Sequence, residues 1–140
     1  MTRILILCTG NSCRSQMAEG IVRTLDPLVE AHSAGTHPAA RVHPMAVRVM
    51  KEIGVNIASA APKSVDRYTG EAFDAVFTVC DHARETCPVF TGTVGLRLHQ
   101  SFDDPALFSG TEEEVLQEFR RVRDQIRWFF TGVMSVLGGR

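Results

Sequence analysis

The residues most able to do chemistry lie in one short segment, Cys8-Thr-Gly-Asn-Ser-Cys-Arg14-Ser15. Small residues between a cysteine and an arginine can turn successive backbone N–H groups towards a tetrahedral oxyanion. Arg14 adds a planar guanidinium that can hold two oxygens of that anion. The same positive field lowers the pKa of the Cys8 thiol into the range of about 3.5–7.5 seen for activated cysteines. Ser15 can donate a hydrogen bond to the resulting thiolate. The predicted oxyanion nest comprises Thr9, Gly10, Asn11, Ser12, Cys13 and Arg14.

Two more cysteines, Cys80 and Cys87, follow a second apolar segment. The apolar run at residues 4–8 is too short for a secretory signal, so we expect a cytoplasmic, reducing compartment that disfavours structural disulfides. Four residues separate Cys8 from Cys13 and six separate Cys80 from Cys87, which differs from the tight pairs of common zinc sites. Redox or nucleophilic chemistry is therefore favoured. Cys13, inside the loop, is expected to be a structural buried thiol.

Three functions suit these cysteines. One thiolate, a nest and an acid suffice to hydrolyse a phosphomonoester, which predicts a phosphatase. Two further thiols could supply the two electrons that reduce a bound oxyanion, because a second thiolate can attack the Cys8 sulfur, expel the reduced anion and leave a disulfide for a third to exchange. Cys80 and Cys87 suit those later steps. A non-enzymatic redox or oxyanion-sensing module is the third possibility.

An acid for either reaction is available in Asp103-Asp104-Pro105. Proline biases the residue before it to an extended backbone, which projects the Asp104 side chain from a loop. A solvated turn is an equally ordinary reading of Asp-Pro. Asp103 is expected to cap the loop.

Strands and helices alternate along the chain. Residues 3–8 form a continuous apolar run, typical of a strand buried on both faces. Further strands are predicted at 29–33, 72–80 and 94–98, with a short additional candidate at 55–57. Helices are predicted from Arg14 to a break at Pro27, from Pro44 to a stop at Gly54, briefly at 64–68, and from residues 112–114 to Leu137. Residues 81–87 suit either a helical turn or an unwound loop.

This alternation predicts a single α/β domain over residues 1–140, with a central, mostly parallel four-stranded sheet flanked by helices. Sites in such sheets lie at the carboxyl ends of the strands. Cys8 and Cys80 both end predicted strands, so they are expected to meet at one edge.

The composition narrows the class of partner. The chain has 140 residues, 44% hydrophobic and 22% charged, with a net charge of -1, as expected for one globular domain. Near-neutral charge argues against nucleic acid or an anionic membrane as partner. No apolar run approaches the roughly 18 residues that a membrane helix needs. We expect a monomer that binds an arsenate- or phosphate-like oxyanion.

Six segments together resemble the thioredoxin-coupled arsenate reductases of the low-molecular-weight protein tyrosine phosphatase fold. They are CTGNSCRSQMAEG (8–20), SAGTHP (33–38), KSVD (63–66), TVCDHARETCPVF (78–90), FDDPA (102–106) and FRRVRDQI (119–126). The resemblance spans nearly the whole chain. The first segment alone would equally suit a phosphatase.

The resemblance implies a role for each candidate residue. Cys8 is the nucleophile, Arg14 and Ser15 stabilise anion and thiolate, and Asp104 protonates the leaving oxygen. Cys80 resolves Cys8, and a Cys80–Cys87 disulfide is presented to thioredoxin. The implied activity is arsenate reduction for arsenic detoxification, with no bound organic cofactor and a weak phosphatase side activity.

Some relatives bind a potassium ion near the anion loop, and Asn11, Glu19 and Ser33 match positions implicated there. No other metal is expected. Two segments depart from the family pattern, at residues 59–62 and 99–102. Gln100 stands where relatives often carry tryptophan, which is expected to alter the rim of the site and to leave the chemistry intact.

Overall fold

A four-stranded parallel sheet forms the centre of the protein, seen in a computed structural model that describes residues 2–137. The strands are β1 (Arg3–Cys8), β2 (Glu30–Gly35), β3 (Phe73–Thr78) and β4 (Val94–His99), in the order β2-β1-β3-β4. All three pairings are parallel. The predicted parallel four-stranded α/β architecture is confirmed.

Four α-helices accompany the sheet within the described residues. They are α1 (Arg14–Leu25), α2 (Pro44–Lys51), α3 (Asp81–Thr86) and α4 (Glu112–Leu137). Two short 3₁₀ helices cover Val65–Arg67 and Pro105–Leu107. Among residues 2–137, no helix is both long enough and apolar enough to cross a membrane.

The core forms around β1, whose residues 4–7 are fully buried. This agrees with the continuous apolar run, because a strand covered on both faces has no solvent-facing positions. Helix α4 packs against α1 and α2 and contributes Phe130, whose ring centroid lies 5.2 Å from that of Phe77 on β3.

The predicted short strand at residues 55–57 is wrong. Val55 donates its N–H to the carbonyl of Met50 at 3.0 Å, so the segment closes the end of α2 instead of joining a ladder. Val55 and Ile57 are nevertheless buried. Their apolar character reflects packing under the helix, which periodicity cannot distinguish from a short buried strand.

The register of the sheet brings two distant cysteines to one edge. Leu7 pairs with Thr78, and Val79 donates its N–H to the Leu7 carbonyl at 2.9 Å. Cys8 ends β1, and Cys80 lies two residues beyond the end of β3. Both therefore lie at the carboxyl ends of adjacent central strands.

Candidate active site

The loop between β1 and α1 carries Cys8 and the predicted oxyanion nest. Its carbonyls are held by donors that follow β2. These bonds run from Thr36 N–H to Cys8 O (3.2 Å), His37 to Thr9 (2.9 Å), Ala39 to Gly10 (2.8 Å) and His43 to Ser12 (2.9 Å). Among residues 2–137, no backbone carbonyl accepts from the N–H groups of Gly10, Ser12, Cys13 or Arg14. A rigid loop with unbonded N–H groups is what oxyanion binding requires.

Asn11 anchors this loop from within. Its φ of 51° lies in the left-handed region, which asparagine tolerates better than most residues. The side-chain amide is fully buried and donates to Ser15 Oγ at 2.8 Å and to Ser33 Oγ at 2.9 Å. Its oxygen accepts from Gln16 Nε2 at 3.1 Å and from the Lys63 N–H at 2.9 Å. Asn11 thus joins the loop to α1, β2 and the segment before the first 3₁₀ helix.

Gly35, at the end of β2, makes room for the loop. A Cβ atom at this position would lie 2.5 Å from the Thr9 carbonyl oxygen and 3.1 Å from the Asn11 nitrogen. Real Cβ atoms do not approach backbone oxygens so closely, so the loop can pass here only against glycine. The sequence indicates only that Gly35 closes a strand and gives no signal of this close approach to the loop.

Cys8 and Cys80 are neighbours, and each thiol shifts the pKa of the other. Both are buried. The pKa of Cys80 is lowered to about 5, first by the neighbouring Cys8 thiol and then by the Thr9 hydroxyl and the Ala83 N–H. Thr9 Oγ1 lies 3.3 Å and the Ala83 nitrogen 3.4 Å from Cys80 Sγ.

The neighbouring Cys80 raises the pKa of Cys8 well above its usual value. Burial acts in the same direction, whereas Arg14, Ser15 and the Asn11 N–H lower the pKa. The pair therefore shares one proton at neutral pH and carries one thiolate. The Cys8 sulfur lies among the groups that stabilise a thiolate.

Arg14 lies between the nest and the acidic loop. Its Nη1 donates to the Phe102 carbonyl at 3.0 Å, and its Nη2 lies 3.4 Å from Asp104 Oδ2. Its buried Nε has no hydrogen-bond partner among residues 2–137. A buried guanidinium nitrogen without an acceptor is costly, and an oxyanion in the nest is the group that would satisfy it.

Asp104 both faces Arg14 and caps the second 3₁₀ helix. Its Oδ1 accepts from the Ala106 N–H at 3.0 Å. Asp103 instead points to Arg121, with its Oδ2 3.0 Å from Arg121 Nη2. The expectation that Asp103 caps the loop is wrong, because an N-cap must immediately precede the first helical residue and that residue is Pro105.

Cys80 and Cys87 flank α3 as its N-cap and C-cap. Cys87 is half-buried, and burial raises the pKa of its thiol. The seven residue-to-residue steps from Cys80 to Cys87 span about 10 Å along a helix axis, whereas a disulfide joins Cα atoms about 4.4–6.8 Å apart. A bond between these cysteines thus requires α3 to unwind, the second of the two states that the sequence allowed.

Cys13 is buried, which raises its pKa to about 11.

The residues matched to a potassium site do not fit a bound cation. Glu19 Oε1 accepts from Ser33 Oγ at 2.8 Å and lies 3.8 Å from Lys63 Nζ, while Oε2 lies 3.3 Å from Arg23 Nη2. The Glu19 carboxylate therefore already has two cationic partners. The side-chain oxygen of Asn11 already accepts two hydrogen bonds from the protein, so it is not available to bind a cation. The one buried acceptor without a partner among residues 2–137 is Gln16 Oε1, and one neutral oxygen is too few for a cation site.

Sequence reasoning missed several supporting residues. Gln16 and Lys63 bond to Asn11, and His43 holds the Ser12 carbonyl while its ring accepts from the Met45 N–H at 3.1 Å. The contacts of Lys63 with Asn11 and of His43 with Ser12 join residues that are far apart in the sequence, so no local spacing could have indicated them.

Within residues 2–137, no group of three or more histidine, cysteine or acidic side chains is arranged to hold a metal ion.

A nest with a buried cysteine at its base is shared by a known family. The sequence model of the low molecular weight phosphotyrosine protein phosphatases matches residues 3–138. The chain belongs to this family. Among its curated relatives in the family, an arsenate reductase of Halalkalibacterium halodurans is 47% identical over 124 residues, covering 88% of each chain.

Solved structures agree with this assignment. An arsenate reductase in a phosphate-binding state superposes with a TM-score of 0.82 at 29% identity, covering 96% of this chain and 98% of the other. A thioredoxin-dependent arsenate reductase of Corynebacterium glutamicum gives a TM-score of 0.64 at 26% identity, covering 96% of this chain and 62% of the other. The family thus includes both phosphatases and reductases, and the second cysteine pair bears on which activity this member has.

Proposed function

We propose that this protein reduces arsenate to arsenite by a three-cysteine relay that thioredoxin recharges. One observation carries the proposal: Cys80 lies against the nest, with its Sγ 3.3 Å from Thr9 Oγ1, and also caps the helix that ends at Cys87. Hydrolysis of a phosphoester has no use for a second thiolate at that position. Reduction by thiols requires one.

The first step forms a bond between Cys8 sulfur and arsenic. The proton shared by the two thiols moves to Cys80, so that Cys8 attacks as the thiolate that Arg14, Ser15 and the Asn11 N–H stabilise. One As–O bond breaks, and the departing oxygen leaves as water after taking a proton from Asp104. The nest and the free Arg14 Nε hold the remaining oxygens.

The second step transfers the electrons. The Cys80 proton passes to an arsenate oxygen, and the Cys80 thiolate attacks the Cys8 sulfur. The S–As bond breaks and its electron pair stays on arsenic, which is reduced by two electrons and leaves as arsenite. The two thiols have been oxidised to a Cys8–Cys80 disulfide, so the electrons balance.

The third step moves the disulfide outwards. A Cys80 sulfur within a disulfide is a far weaker acceptor than the thiolate that receives the Ala83 N–H, so α3 loses its N-cap and unwinds more easily. Cys87 loses its proton to solvent as the helix unwinds, and its thiolate attacks the Cys80 sulfur, which releases the Cys8 thiolate and forms a Cys80–Cys87 disulfide. Thioredoxin reduces this bond by the same exchange.

Phosphomonoester hydrolysis is the second candidate. The match to the phosphatase family and the phosphate-binding state of a structural neighbour favour a site that also accepts phosphate. The proposed reductase works with free thiols, which supports a location in the reducing cytoplasm. All residues of the proposed relay come from one chain, so a monomer suffices.

The test is arsenate-dependent oxidation of NADPH in the presence of thioredoxin and thioredoxin reductase, beside hydrolysis of an aryl phosphate. The account expects oxidation that stops in Cys80→Ser and Cys87→Ser, with only slow ester hydrolysis in the wild type. Rapid hydrolysis without arsenate-dependent oxidation, and with no effect of other thiol donors, would establish a phosphatase instead.

A further inference from the structure

A buried polar chain runs under the nest from Ser15 to a carboxylate. Asn11 Nδ2 donates to Ser15 Oγ at 2.8 Å and to Ser33 Oγ at 2.9 Å, and Ser33 Oγ donates to Glu19 Oε1 at 2.8 Å. These four residues are all buried. The chain ends in a charge, because Glu19 is the only one of them that ionises.

A buried carboxylate must be compensated by a cation. Arg23 lies 3.3 Å from Glu19 Oε2, but its side chain is 56% exposed. Lys63 Nζ lies 3.8 Å from Oε1, on the side that holds Ser33, and its side chain is only 20% exposed. Lys63 is therefore the less solvated of the two cations and the one beside the oxygen that accepts from Ser33.

The backbone of Lys63 belongs to the same assembly. Its N–H donates to Asn11 Oδ1 at 2.9 Å, and its carbonyl accepts from the Gly35 N–H at 2.7 Å. The ammonium is held further by the Ala61 carbonyl, 3.3 Å from Nζ. One residue thus fixes the amide of Asn11 with its backbone and the charge of Glu19 with its side chain.

We infer that Lys63 is a positioning residue whose ammonium serves as the built-in cation of this polar chain, in place of a monovalent metal ion. By neutralising Glu19 it keeps Ser33, Asn11 and the Cys8 loop in the geometry that binds an oxyanion. The protein consequently has no use for potassium. The inference rests on the proposed function only where activity is measured.

The experiment compares wild type, Lys63→Met, Lys63→Arg and Lys51→Met in potassium chloride and in tetramethylammonium chloride of equal ionic strength. Lys51 is the other lysine of the chain and is exposed on α2, which makes it a matched control. Thermal unfolding and phosphate binding are measured first, since neither depends on turnover. KM and kcat for arsenate follow.

The wild type and Lys51→Met are expected to behave alike in both salts. Lys63→Met should lose several degrees of Tm in tetramethylammonium and bind phosphate several-fold more weakly, with KM raised more than kcat is lowered. Potassium should restore much of each loss, because a small cation can reach Glu19 and a bulky one cannot. Lys63→Arg should restore most of the Tm without added potassium.

Three results would overturn the inference: a potassium-specific gain in the wild type, a Lys63→Met variant indistinguishable from Lys51→Met, or a destabilised Lys63→Met that potassium does not rescue. Failure of the wild type to reduce arsenate would refute the proposed function and leave the melting and phosphate comparisons as a valid test of Lys63.

Discussion

Cys80 Sγ accepts a hydrogen bond from the Ala83 N–H, so the sulfur of the second cysteine is also the N-terminal cap of the helix that ends at Cys87. The electronic state of Cys80 and the folding of α3 are therefore linked. As a thiolate, Cys80 stabilises the helix and holds Cys87 at a distance. In the proposed relay, Cys80 loses this capping role once it enters a disulfide, which is the step at which Cys87 must reach it.

The Thr9 hydroxyl is expected to tune the Cys80 thiolate. Thr9→Val keeps the shape of the side chain and removes the donor 3.3 Å from Cys80 Sγ. Since this hydrogen bond helps to lower the pKa of Cys80 to about 5, the pKa of the variant should be higher. The wild type should keep its thiolate until the pH falls to about 5, whereas the variant should lose it at higher pH.

Ultraviolet absorbance of the thiolate against pH measures this shift. Thr36→Val is the control, because the Thr36 hydroxyl lies beside the His37 ring and not beside a cysteine. Superimposable titrations of wild type and Thr9→Val would show that the hydroxyl does not stabilise the thiolate.

The neighbouring aspartates should differ sharply in importance. Asp104→Asn can still accept from the Ala106 N–H but cannot donate a carboxylic proton, so kcat should fall about 10²-fold, as for loss of a general acid. Asp103→Asn weakens only an exposed pair with Arg121 and should leave kcat close to that of the wild type. Steady-state reduction of arsenate by both variants is the measurement, and equal effects would remove Asp104 from the mechanism.

Gly35→Ala is expected to damage both stability and binding. The new Cβ would meet the Thr9 carbonyl oxygen at 2.5 Å, which forces the loop to move at a cost of about 1–3 kcal/mol. Gly132→Ala, on the exposed face of α4 with no atom within 4 Å of the new Cβ, should instead raise the unfolding free energy by up to about 1 kcal/mol.

Denaturant unfolding and phosphate binding test the pair of glycines together. An unchanged affinity for phosphate in Gly35→Ala would mean that the loop tolerates displacement and that the close packing against β2 is not required.

Local patterns in the sequence predicted most of the fold. The apolar run of β1 is a strong signal because the strand is buried on both faces. The regular spacing in α4 is a strong signal because the helix is buried along one continuous face. The strand predicted at residues 55–57 failed because Val55 and Ile57 are buried by α2 and not by a ladder. Helix α3 escaped a firm prediction since only Ala83 among its residues is buried.

The reactive residues of the candidate site could be predicted from the sequence, but the hydrogen bonds and ion pairs that hold them could not. Cys8, Arg14, Cys80 and Asp104 could be chosen because each follows a recognisable local pattern. Lys63 and its contact with Glu19 depend on a tertiary approach for which no spacing in the sequence gives a signal. The pairing of Asp103 with Arg121 of α4 likewise depends on a tertiary contact.

The most direct test of the relay is a single-turnover experiment with Cys87→Ser. The account predicts about one arsenite released per protein molecule and then arrest, with a Cys8–Cys80 disulfide found by mass spectrometry of the unreduced digest. Cys13→Ala, which lacks a thiol outside the relay, should continue to turn over with thioredoxin. Sustained thioredoxin-dependent turnover by Cys87→Ser, or arrest with Cys80 still a free thiol, would contradict the three-cysteine mechanism.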